Sequence, residues 1–76
     1  MKYAVVYEQT PRNWAAYVPD LPGCIATGAT REEVERLIRD GIQLHVEAMR
    51  EAGETIPPAT TKVGYGSLSQ PADDSP

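Results

Sequence analysis

The chain has 76 residues, which allows one small domain with a modest core and leaves no room for two. Eleven acidic against seven basic side chains give a net charge of −4. That balance argues against a general nucleic-acid binder, whose affinity rests on neutralising phosphates, and suits either a basic partner or plain solubility. A single cysteine, Cys24, and a single histidine, His45, exclude an intramolecular disulfide and a closed zinc shell, and fit a reducing cytoplasm. The opening run is strand-like and no apolar run is long, so neither a signal peptide nor a membrane span is expected.

Lys2 to Glu8 is rich in β-branched and aromatic residues and predicts a first strand, with Tyr3, Val5 and Tyr7 on one face and Ala4, Val6 and Glu8 on the other. The polar, proline-containing Gln9–Asn13 is a turn. Trp14 to Val18 predicts a second strand, antiparallel to the first, with Trp14, Ala16 and Val18 sharing a face opposite Ala15 and Tyr17.

The next stretch, Pro19-Asp20-Leu21-Pro22-Gly23, must stop pairing, because each proline lacks an amide donor. Asp20 can accept from nearby backbone amides and Gly23 can take positive φ, so together they reverse the chain. Cys24 to Thr27 is a short third strand that ends at Gly28. Thr30 then reads as an N-cap, and Glu33 completes a capping box. Apolar residues recur at helical spacing at Val34, Leu37, Ile38, Ile42, His45, Met49 and Ala52, with Gly41 and Ala48 on the same side. Gly53 stops the helix and Pro57-Pro58 keeps it from resuming, which places it over about Arg31 to Ala52.

Lys62 to Leu68 predicts a short last strand weakened by two glycines, and 68–76 reads as a disordered tail after a domain over 1–67. The fold class is α+β in the order β-β-β-α-β, an antiparallel three-stranded sheet with one long helix and a short final strand. One helix covers only one face of such a sheet. Because the early strands carry apolar or aromatic residues on both faces, a homo-oligomer, dimer or tetramer, is expected.

Four blocks lie in register: Tyr3 to Val5, Val18 to Cys24, Gly28 to Glu33, and Gly53 to Pro58. Together they resemble the HicB-type antitoxin family across residues 1–67. The resemblance implies a partial ribonuclease-H-like fold, with the last strand parallel beside the first. It also implies a type II toxin–antitoxin role, in which the partner is HicA, a small basic RNA-cleaving toxin inhibited by binding. Many family members continue into a DNA-binding domain. This sequence shows no second helical pattern or basic arm before Pro76, so direct DNA binding is not expected.

The fold resemblance raises a nuclease, which needs clustered carboxylates for two metal ions. The sheet region offers only Glu8 and Asp20, and Asp20 sits in a turn context. His45 lies on the apolar stripe with no nucleophile or orienting carboxylate named beside it, and Cys24 has no basic neighbour in sequence to lower its pKa. No catalytic, metal or cofactor residue is therefore assigned. Pro19, Asp20, Pro22, Gly23, Gly28, Thr30 and Glu33 form the structural motif, and Tyr3, Tyr7, Trp14 and Tyr17 are the candidate interface aromatics. The leading expectation is a non-catalytic antitoxin-type module. The alternatives are a stand-alone homo-oligomeric structural or regulatory protein and, behind it, an RNA binder or nuclease.

Overall fold

The computed structural model describes residues 2–66. Three strands, β1 (Val6–Gln9), β2 (Trp14–Tyr17) and β3 (Ile25–Gly28), are followed by one helix, α1 (Arg31–Glu51). The strands form an antiparallel sheet in the order β1-β2-β3. Both outer edges, β1 and β3, are unpaired among the described residues.

Local chemistry accounts for each reversal. Between β1 and β2, the Thr10 hydroxyl oxygen accepts from the amides of Arg12 and Asn13 at 3.2 and 3.0 Å, and the Thr10 amide donates to the Asn13 carbonyl at 2.8 Å. After β2, the Leu21 amide donates to the Val18 carbonyl and the Cys24 amide to the Leu21 carbonyl, both at 3.1 Å. Gly23 takes φ +85°, a left-handed conformation that a residue with a Cβ rarely adopts.

The first strand is shorter than the expected Lys2–Glu8. Val6 pairs with Tyr17, and continuing that register sets Ala4 opposite Pro19, which has no amide to offer. The Val18 amide serves the other ladder, donating to the Cys24 carbonyl one pair beyond Tyr17–Ile25. The ladder therefore ends at Val6, although Tyr3 and Val5 still pack against the core.

The helix begins as its sequence dictates. The Thr30 hydroxyl accepts from the Glu33 amide at 3.1 Å, and a Glu33 carboxylate oxygen accepts from the Ala29 amide at 2.8 Å, one residue earlier than the usual capping-box partner. At the far end the Gly53 amide donates to Arg50 and the Glu54 amide to Met49, with Gly53 at φ +73°, the paired bonds of a Schellman stop.

Ala16, Val18, Leu21, Cys24, Val34 and Ile38 are buried and form the core between sheet and helix. Each large aliphatic among them contributes about 1.5–3 kcal/mol relative to full exposure. The helix packs mainly against β3 and β2. Its buried stripe is rotated from the expected one: Val46 packs against the core, and Leu37 lies outside it.

The expected final strand does not form over Lys62–Gly66, which has no ladder partner and leaves Tyr65 96% exposed. Gly64 and Gly66 supply no side chain to hold such a strand in place. Its remaining residues and the expected tail at 68–76 lie outside the described residues.

Candidate protein-binding surface

Strand alternation divides the aromatics between two faces. Tyr7 pairs with Ala16, and Ala16 with Ala26, so all three point toward the helix. Tyr3, Tyr7 and Trp14 are half-buried against the core on that side. The guanidinium of Arg31 lies 4.5 Å from the Tyr7 ring centroid and 5.9 Å from that of Trp14, which holds the first helical turn over the hairpin. Tyr17 faces the other way. It is the centre of a cross-strand row, Val6–Tyr17–Ile25, on the uncovered face, and both Tyr17 and Ile25 are exposed.

The two flanks of the helix are unlike. On the β1 side, Lys2, Tyr3, Val5 and Tyr7 face Glu35, Ile38, Arg39 and Ile42 across a groove. The groove continues past Tyr3 to Val46, Glu47 and Arg50. Carboxylates and guanidiniums are mixed along it. On the β3 side, Gly23, Cys24 and Ile25 face Gly41, Leu44 and His45 across a shallow cleft of about 330 Å³. Ile25 and Leu44 on its rim are 67% and 66% exposed.

The helix turns into a short strap, which is pinned at two points. The Tyr3 hydroxyl donates to the Pro57 carbonyl. Asp20 is the second pin. Its carboxylate accepts from the Thr60 and Thr61 amides at 3.0 and 2.9 Å and from their hydroxyls at 3.3 and 2.7 Å. The Thr61 amide and hydroxyl lower the Asp20 pKa most, desolvation opposes them, and the Thr60 donors add to the lowering. The turn expected to be held by Asp20 is thus held by backbone bonds and Gly23, while the aspartate reaches a segment forty residues away.

No group of three or more His, Cys, Asp or Glu side chains among the described residues can hold a metal ion. His45 is half-buried beside Gly41 and Cys24. Cys24 is a buried free thiol whose pKa is pushed up by desolvation, the opposite of what a reactive thiolate needs. No helix among the described residues is long and apolar enough to cross a membrane. Ile25, Leu37 and Leu44 are among the exposed apolar residues that the sequence did not single out as a surface, along with Val63 and Tyr65 beyond the helix. The available signal was that Leu44 falls off the buried stripe while remaining large and apolar.

The chain matches the family described as the HicB-like antitoxin of bacterial toxin–antitoxin systems over residues 3–72. It is similar to Antitoxin HicB 2 of Photorhabdus laumondii, 32% identical over 72 residues that cover 95% of this chain and 51% of the relative. It is also similar to an uncharacterized 14.9 kDa protein in the rep-hol intergenic region of Haemophilus phage HP1, 31% identical over 71 residues, 93% of this chain and 52% of the relative. A third relative, a UPF0150 protein of Thermoplasma acidophilum, is 33% identical over 58 residues, 75% of this chain and 84% of its own length. The chain spans about half the length of the first two relatives. No solved structure matches. With its turn, capped helix and three-stranded sheet matched along nearly the whole sequence, the chain belongs to the HicB-like antitoxin family of bacterial toxin–antitoxin systems.

Proposed function

We propose that this protein is a non-catalytic antitoxin that binds a small, basic, RNA-cleaving toxin of the HicA type and inhibits it by occlusion. The observation that carries the reading is the family match over residues 3–72. The net charge of −4 supports it, because opposite charge speeds encounter with a basic partner and orients it. The single buried thiol suits a cytoplasmic setting. Of the four aromatics singled out by sequence, Tyr17 is the one proposed to meet the partner, since Tyr3, Tyr7 and Trp14 are engaged on the helix side.

The test is co-expression with a HicA-type toxin, followed by RNA cleavage by the purified toxin with increasing amounts of this chain. Cleavage falls to background near equimolar ratio if the reading holds. Undiminished cleavage at tenfold excess of this chain sinks it.

The Val6–Tyr17–Ile25 row, in which Tyr17 and Ile25 are exposed, supports a second reading, a stand-alone homo-oligomer, dimer or tetramer, that uses the uncovered sheet face. Sedimentation of the chain alone separates the two: the second reading requires an oligomer that Tyr17→Ser dissolves.

A further inference from the structure

The β3 flank of the helix combines three features that its own packing does not require. First, Gly41 lies in the middle of a 21-residue helix, where glycine weakens helix formation. Outside the helix's own backbone, the nearest atom to a Cβ built there is the Cys24 Sγ at 3.9 Å, which is ordinary contact. Neither crowding nor positive φ explains the glycine, and its effect is to leave the cleft open. Second, the cleft is bounded by exposed apolar groups. Leu37 and Leu44 are seven residues apart on one side of the helix, and Ile25 joins the cleft to Tyr17 on the uncovered face. Third, acidic residues border this strip. Asp40 follows Leu37 by three residues and Glu51 follows Leu44 by seven, and both are exposed, whereas Glu47 belongs to the β1-side groove with Gln43. Arg36, four residues before Asp40, is the base that helical spacing brings beside it, while Arg39 and Arg50, although adjacent in sequence to Asp40 and Glu51, line the opposite flank.

We infer that a basic protein partner docks around the free edge of β3, with an apolar side chain seated over Gly41 between Ile25 and Leu44 and its cations against Asp40 and Glu51. The inference rests on the proposed antitoxin function and adds where that partner sits. Charge selects the occupant. A second copy of this acidic chain, packed about a two-fold axis, would bring Asp40 and Glu51 toward their own images, whereas a basic protein neutralises them. An apolar centre with a charged rim is also the usual anatomy of a specific protein interface.

Three variants test this, with binding to the toxin of the proposed function measured by calorimetry at low and moderate salt. Gly41→Gln fills the cleft with a better helix former, so it raises the melting temperature yet weakens binding at least tenfold. The charge reversal of Asp40→Lys with Glu51→Lys weakens binding by a similar factor and flattens its salt dependence. Gln43→Lys, on the opposite flank, changes affinity less than threefold. If the wild-type chain binds the toxin and Gly41→Gln binds equally well, the docking site is overturned and the antitoxin reading stands. If the wild-type chain binds no such toxin, the reading and the site fall together. If sedimentation shows a wild-type dimer that Gly41→Gln dissolves, the occupant is a second copy and the inference is overturned.

Discussion

The two flanks of α1 are built from one helix and one sheet, yet they differ in what they do with apolar groups. The β1 flank uses them internally: Tyr3, Val5, Tyr7, Ile42 and Val46 pack against the core, and mixed charges line the groove above. The β3 flank leaves Ile25 and Leu44 two-thirds exposed beside a cleft kept open by Gly41. The helix leans over β3 and β2, so side chains on its β3 side overhang a sheet edge that is unpaired among the described residues. The difference separates a flank whose apolar groups hold the fold from one whose apolar groups stay in water among the described residues.

Substitutions break or sharpen that contrast. Ile38 is the spine common to both flanks and is fully buried. Ile38→Ala is expected to lose about 2–5 kcal/mol in urea denaturation, enough to abolish the distinction by unfolding much of the population. Tyr3→Phe probes the β1 flank alone. It removes the hydroxyl bond to Pro57 and is expected to lose about 1 kcal/mol, with faster amide exchange around Pro57 as the accompanying sign. An unchanged urea midpoint for Tyr3→Phe would mean that this flank contributes less than its contacts suggest.

Asp20 closes the end of the sheet that both flanks share. Its pKa is depressed below the ordinary 3.8, chiefly by the Thr61 donors, so the sign is that of a carboxylate favoured as the anion in the fold. Its contribution is present above 3.8 and is lost as pH falls through the lower folded value. Limited proteolysis of the strap should therefore accelerate below that point in the native protein, while Asp20→Asn shows a loose strap at all pH and no such step. Leu44→Ser completes the series with the smallest expected effect, within about 0.5 kcal/mol of the native stability, because its side chain is already in water. A loss of several times that would place Leu44 in the core and remove the contrast.

Features written in adjacent residues were legible before the structure. The Thr30–Glu33 cap, the Gly53 stop and the reversal at Gly23 each follow from side chains within a few positions of one another, and all three form. Strand alternation also separated Tyr17 from Trp14 and Ala16 correctly. Which face the helix would cover was not legible, because a period of two is symmetric between faces. The helix stripe was placed one position too far toward Leu37 and away from Val46, since periodicity defines an arc and the tilt of the sheet beneath selects its centre. Asp20 carried a plausible local role as a turn former. Its bonds to Thr60 and Thr61 depend on the helix returning the chain to the same end of the sheet, which no short window of sequence contains.

That clasp also bears on the order in which the molecule assembles. The β1–β2 hairpin and the first helical turns close over short separations, whereas joining Asp20 to Thr60 fixes a loop of forty residues and becomes favourable only once α1 is in place. The clasp should therefore form after the rate-limiting step. In stopped-flow measurements, Asp20→Ala is expected to leave the refolding rate nearly unchanged and to speed unfolding. Four hydrogen bonds on one exposed carboxylate would then act chiefly on the lifetime of the folded state.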